Sequence, residues 1–274
     1  MKCGAEVRES ERDCPACLGD CGFPNVRAAL RPDEVGALEQ RYASALESSV
    51  SRRAESVFRD FCAAVLRSKA VICRSLNQMM QLVESDNELY ATFYQLVASG
   101  VRPPQATQTD LDRLLADDLL FPYYKEKIRF GALSLDRKGV AHYGGASIVL
   151  KDTSIENRAT VFEENSLRFA QVRGFSPIPA GYRATWHNRQ ELAAAKLESK
   201  LRPGMDSGAF SAVLMEQGSA TMEPDFIEVH IYGSLHRQSI EAVTLPSPQD
   251  IERPLLLNLQ KQLAKLGIEV LSSL

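Results

Sequence analysis

Phe226-Ile227-Glu228-Val229-His230-Ile231-Tyr232-Gly233-Ser234-Leu235 alternates apolar and polar side chains over most of its length. In an extended chain Phe226, Glu228 and His230 fall on one side, and Ile227, Val229 and Ile231 on the other. β-Branched and aromatic residues at that period predict a strand with its aliphatic face against a core. The opposite face carries a carboxylate and an imidazole two residues apart. That pair is either the floor of an active site or a solvent-facing pair on an edge strand. Gly233 ends the run and lets a second backbone or a ligand come close.

Upstream of this strand the period of two recurs. Residues 128–135 read as a strand closed by the turn Asp136-Arg137-Lys138-Gly139, and 146–151 and 158–162 as two more. Residues 153–157 fit a single helical turn, 163–166 a polar loop and 174–182 an irregular crossing. Residues 189–201 are predicted helical, stopped by Pro203-Gly204. Downstream, 239–243 and 249–266 are predicted helices, with a last strand at 268–271. Earlier in the chain the period is that of a helix. From Asp33, apolar residues from Leu38 to Leu66 recur at three- and four-residue steps, and further helices are expected over 71–83, 87–99 and 110–120. The opposite face of the first helical stretch carries Arg41, Arg52, Arg53, Arg59 and Arg67, a solvated face or a nucleic-acid contact.

The 274 residues suffice for one large domain or two smaller ones with an appendage. A net charge of −3 leaves no global footprint for nucleic acid, so any such contact would be a local basic patch. No apolar run approaches the roughly 20 residues that span a bilayer, and the first residues are charged and Cys-containing instead of signal-like. A cytoplasmic protein without membrane contact is expected.

Four of the six cysteines, Cys3, Cys14, Cys17 and Cys21, crowd the first 21 residues. In a reducing compartment that clustering points to metal, and zinc prefers four tetrahedral thiolate or imidazole ligands. Cys14-Pro15-Ala16-Cys17 is a good knuckle, whereas Cys3-Gly4 looks like the end of one whose first cysteine is missing. Either Cys21 is the fourth ligand or the knuckle begins upstream. The segment resembles the short zinc ribbons at the front of many bacterial proteins. Cys62 and Cys73 fall on apolar faces and are read as small buried hydrophobes.

The expected fold is therefore α+β in three parts: a zinc ribbon over 1–30, a helical bundle over 31–125, and a small mixed or antiparallel sheet domain with flanking helices over 126–274. In the last part Arg129, the region from Arg158 and Thr160 to Asn165 and Ser166, and Glu228 with His230 are the candidate site. Arg can grip a pyrophosphate bidentately, a hydroxyl can orient a ribose, and a carboxylate can stabilise oxocarbenium character as a glycosidic bond breaks. Taken singly, each has a plain structural reading as an ion pair or a turn. His142, His187 and His236 lack partners at ligand spacing.

Phe130-Gly131-Ala132-Leu133, Tyr143-Gly144 leading into Ile148-Val149-Leu150-Lys151, Arg158-Ala159-Thr160 with Asn165-Ser166, and Phe226-Ile227-Glu228-x-His230-x-x-Gly233-x-Leu235 occur in that order. Together they resemble a bacterial family of unknown function related to the C-terminal domains of polymorphic toxins. The ordered Arg, Ser/Thr and Glu strands are also similar to ADP-ribosyltransferases, with Arg158-Ala159-Thr160 in place of Ser-Thr-Ser and Glu-x-His at the late strand. The resemblance implies an NAD-consuming mono-ADP-ribosyltransferase-like enzyme, a toxin or phage-defence effector. Glu228 would then be the catalytic carboxylate, with His230 beside it, and Arg129, Arg158, Thr160 and Ser166 would hold NAD. Its partners would be a protein or nucleic-acid acceptor and an inhibitory antitoxin. The competing reading is a non-catalytic RNA- or protein-binding module that uses the ribbon and the basic helix face. A nuclease would need a carboxylate cluster for Mg²⁺ that the sequence lacks. The discriminating observation is whether Arg129, Thr160 and Glu228 line one cleft.

Overall fold

The computed structural model describes residues 3–84, 108–174, 176–218, 224–246 and 253–271. Its centre is an eight-stranded sheet. In chain order the strands are β1 (Lys69–Arg74), β2 (Ile128–Ser134), β3 (Ala146–Leu150), β4 (Ala159–Phe162), β5 (Arg183–Thr185), β8 (Glu228–Tyr232), β9 (Ile240–Thr244) and β10 (Glu269–Leu271). A separate two-stranded ribbon is made by β6 (Met215–Glu216) and β7 (Asp225–Phe226). The spatial order is β10-β9-β3-β1-β2-β8-β4-β5, antiparallel except for the parallel β9–β10 pair. The strand 228–232 is thus interior, and all five of its residues are buried. It is not an edge strand.

Helices cover both faces. On the aliphatic face lie α2 (Pro32–Ser51), α3 (Glu55–Val65), α4 (Leu76–Glu84), α8 (Arg189–Leu197), α9 (Phe210–Leu214) and α10 (Arg253–Lys265). Their apolar stripes meet Ile72, Leu133, Ile148, Val161, Val229 and Ile231 in one hydrophobic cluster that runs from Leu38 to Ile268. On the Glu228 face, α1 (Pro24–Ala29), α5 (Gln108–Leu120) and α7 (Ser166–Arg173) pack over a second cluster containing Phe121, Ile128, Phe162, Phe169 and Tyr232. A short helix, α6 (Asp152–Ile155), fills the turn expected at 153–157. Pro32 at the start of α2, with Asp33 and Glu34 in its first turn, provides a preorganised φ and favourable charge for the helix dipole.

Four expectations are corrected. Residues 69–74 are not helical but form β1, inserted between β3 and β2. Ala70-Val71-Ile72-Cys73 is a short apolar run, and periodicity cannot separate a buried strand from a buried helix at that length. As a result 31–125 is no separate bundle: its helices pack on the same core as the sheet. Residues 240–244 are likewise a strand, β9, paired with β3 and β10. Five residues cannot sustain a helix alone, and Ile240-Glu241-Ala242-Val243-Thr244 gains more by pairing. Finally, the stripe from Leu38 to Leu66 breaks at Arg53, whose φ of 60° lies in the left-handed region and turns α2 into α3. A further helix, α7, runs between the polar loop at 163–166 and the irregular crossing at 174–182. The expected helix over 87–99 lies outside the described residues.

Candidate functional site

Antiparallel pairing decides which side chains can meet. In the β2–β8 register Phe130 stands opposite His230, and Arg129 opposite Ile231. Directly opposed residues share a face. Arg129 therefore joins the aliphatic face, away from Glu228 and His230. It is buried, and its guanidinium donates to the Glu126 carbonyl at 3.1 Å. Burial, with the neighbouring Arg158 charge, pulls its pKa down to about 10.

Arg158 is equally engaged. It donates to the carbonyls of Ser154 (2.8 Å), Tyr232 (2.7 Å) and Ser234 (2.9 Å), tying the end of β8 to the turn before β4. Burial also lowers its pKa. Gly233 has a φ of 82°, and a Cβ there would stand 3.3 Å from the Arg158 guanidinium. The group that approaches this glycine is thus a side chain of the same molecule.

On the other face Glu228 and His230 do come together, Oε2 to Nε2 at 2.9 Å. Nε2 is the donor if the carboxylate is ionised, since a carboxylate only accepts. Glu228 also accepts the Ser166 backbone N–H at 3.2 Å, at the first turn of α7. The helix dipole favours a negative charge there. Ser166 therefore contributes its amide to this contact. The His230 ring sits among Phe121 (4.7 Å), Phe130 (5.4 Å) and Phe162 (5.8 Å, stacked). Glu228 is only 6% exposed and His230 3% exposed, so the pair is a packed element of the face and not an open floor.

Thr160 lies opposite His230 across β4 and β8. Its hydroxyl accepts from the Asn25 side-chain amide (3.3 Å), which also donates to the carbonyls of Arg158 (3.0 Å) and His230 (3.1 Å). Asn25 thereby stitches α1 to both strands. Asn165 caps α7 by accepting from Leu167 N–H (3.0 Å), and its amide donates to the Tyr143 hydroxyl (3.0 Å) and the Pro224 carbonyl (3.3 Å). Sequence reading missed the roles of Asn25 and Tyr143. A polar residue just inside a Pro-initiated turn was the available signal for Asn25. Of the expected site, then, Glu228, His230, Ser166 and Thr160 share a face, while Arg129 lies on the other and Arg158 is spent on the strand end. They do not line one cleft.

The metal-ligand candidates divide similarly. Cys3, Cys14 and Cys17 bring their sulfurs within 4.8 Å of one another, with Cys3 and Cys14 3.4 Å apart. Three soft donors at this spacing fit a zinc-like ion. Backbone N–H groups of Cys17 and Ala16, together with the adjacent Cys3, lower the Cys14 thiol to about 7. Cys21 stands outside the cluster and its thiol donates to the Gly19 carbonyl at 3.4 Å. Arg27 fastens the whole ribbon, donating to the carbonyls of Glu11, Cys21, Gly22, Arg8 and Glu9 at 2.7–3.4 Å. Cys62 and Cys73 are packed thiols whose pKa values burial raises, in keeping with their expected roles.

The basic helix face is largely neutralised. Arg41 pairs with Glu163, Arg52 with Glu198 and Arg59 with Glu55, while Arg53 and Arg67 stay exposed. His142, His187 and His236 are exposed. Among the described residues no helix is long and apolar enough to cross a membrane. Neither a family model nor a curated protein matches the chain.

Proposed function

We propose that the chain is a binding module that docks a protein partner through its metal knuckle, with the covered sheet as a rigid support. One observation carries this reading: the knuckle presents Cys3, Cys17 and Leu18 to solvent, Leu18 being 80% exposed, whereas Arg129, Arg158, Thr160 and Glu228 are turned to partners inside the protein. An apolar tip on a metal-organised turn suits a protein surface, because burying one leucine contributes about 1.5–3 kcal/mol. RNA is the poorer fit, since three of the five arginines of the helix face already hold carboxylates.

The test is photo-cross-linking from a reactive side chain introduced at Leu18 in the full protein. A discrete protein adduct that forms with zinc bound and disappears with chelator is expected. Absence of any metal-dependent adduct in cells that produce the protein refutes the reading.

A second reading, the NAD-consuming transferase of a toxin or defence effector, is favoured by the Glu228–His230 pair alone. A buried carboxylate in hydrogen-bond reach of an imidazole costs stability to maintain, and a chemical use would account for that cost. Labelled NAD transferred by the wild type and not by Glu228→Gln would put this reading in place of the first. The same label obtained with both proteins would exclude Glu228 as its catalytic carboxylate.

A further inference from the structure

We propose that Cys3 and Cys14 are a thiol–disulfide couple: a hydroperoxide joins them in a disulfide, and thiol reductants restore the pair. Two thiols become such a couple when one is open to the oxidant and a second stands ready to resolve the product. Cys3 is exposed and Cys14 buried, and their sulfurs are 3.4 Å apart. A tetrahedral ion with Zn–S bonds of about 2.3 Å holds its sulfurs roughly 3.8 Å apart, so this pair is closer than shared ligation requires. The contact joins residues 11 positions apart in the chain. Backbone bonds set the approach. Cys14 sits on a closed turn, in which Leu18 N–H donates to the Cys14 carbonyl and Cys14 N–H to the Gly19 carbonyl, both at 2.8 Å. Arg27 holds the segment between the two cysteines by the carbonyls of Arg8, Glu9 and Glu11. Cys17, also exposed, keeps its sulfur within 4.8 Å of the other two. A Cys14–Cys17 bridge would have to form inside the turn, whereas Cys3 meets Cys14 from a separate segment.

The Cys3 thiolate attacks the nearer oxygen of the hydroperoxide. The O–O bond breaks, the alcohol or water leaves with the thiol proton, and Cys3 becomes a sulfenic acid. The Cys14 sulfur then attacks the Cys3 sulfur, the S–O bond breaks, and hydroxide leaves as water with the Cys14 proton. Two electrons pass from the two sulfurs to the peroxide, and one S–S bond forms. A disulfide sulfur is no longer a thiolate, so the oxidised pair cannot ligate the zinc-like ion that the reduced cluster fits. In this consequence alone the inference rests on the metal-knuckle reading: the ion leaves, and the docking that depends on it is lost. The step itself uses only Cys3 and Cys14, and it is the same whichever further group, Cys21 included, completes the coordination.

The experiment is treatment of the zinc-loaded full chain with hydrogen peroxide, with zinc release followed by a chromogenic chelator. Alkylation of the denatured product and peptide mass mapping then identify the bridged cysteines. One zinc per chain should be released as a Cys3–Cys14 disulfide forms with the loss of two hydrogens, and dithiothreitol should reverse both changes. Cys21→Ser should form the same bridge, with far-UV circular dichroism verifying that the variant is folded. A chain that holds no zinc yet forms the Cys3–Cys14 bridge would refute the metal reading and support the couple. The proposal is overturned if the bridge maps to Cys14–Cys17 or includes Cys21, if peroxide yields only sulfinic and sulfonic acids that dithiothreitol does not reverse, or if every thiol survives.

Discussion

Replacing Asn25 by alanine and by aspartate tests whether α1 is held to the sheet by this one carboxamide. The Asn25 amide is 3% exposed and donates to Arg158 O, Thr160 Oγ1 and His230 O. The Arg158 carbonyl keeps the Tyr232 N–H as a second donor at 3.0 Å, so alanine does not orphan every acceptor. At about 1 kcal/mol for each bond lost, Asn25→Ala should cost about 2–3 kcal/mol. For a chain of this size that lowers Tm by about 5–10 °C. Aspartate is nearly isosteric but turns a carboxylate towards two carbonyl oxygens in a buried site. Burial and repulsion raise its folded pKa above the unfolded value of about 3.9. A raised acid pKa means that the extra destabilisation is absent below about pH 4 and grows as pH rises towards the folded value. A shift of two to three units would add about 3–4 kcal/mol by pH 7. Urea unfolding from pH 4 to pH 8 measures this, provided that the midpoint moves at constant slope. Asn25→Asp as stable as wild type at pH 7, or equally destabilised at both ends of the range, would refute the assignment.

Three other substitutions have defined outcomes. Leu18→Gly relieves a left-handed residue that buries little, and the gain of about 1–2 kcal/mol exceeds the added unfolded-state entropy of about 0.4–1 kcal/mol. Zinc retention against a competing chelator should therefore rise about two- to fivefold, and a fall would show that Leu18 packs in the bound state. Arg27→Ala removes the donor shared by five ribbon carbonyls, so limited proteolysis should release residues 1–22 while the remainder stays resistant. Simultaneous loss of both parts would mean that the ribbon is integral to the core. Arg158→Lys cannot reproduce three guanidinium bonds to carbonyls and should cost about 2–3 kcal/mol by thermal unfolding, whether or not NAD is present. Unchanged stability combined with weakened NAD binding would return Arg158 to the role of a dinucleotide grip.

Much of the strand half was legible because its signals are local. β2, β3 and β4 alternate or run apolar between turn residues, and their observed bounds, Ile128–Ser134, Ala146–Leu150 and Ala159–Phe162, lie within the expected spans. The knuckle Cys14-Pro15-Ala16-Cys17 was legible for the same reason, since its amide-to-sulfur contacts depend on four consecutive residues. β1 and β9 were not legible. Each is a short apolar or mixed run whose state is settled by hydrogen bonds to β3, a neighbour remote in sequence. The spacing Glu228-x-His230 correctly placed both side chains on one face and could say nothing of what covers it. Phe121, just past the end of α5, and Phe169 on α7 do that.

Alternation, helical spacing and short-range turn chemistry are local signals, and they suffice for the α+β class, for β2, β3 and β4, and for the Cys14–Cys17 knuckle. That the helical segment and the sheet share a core, that Arg129 lies across the sheet from Glu228, and that Cys21 is not in the group of Cys3, Cys14 and Cys17 depends on contacts between residues far apart in the chain. Pairing register makes that choice: a shift of one residue would carry Arg129 to the other face, and only the partner strand sets the shift.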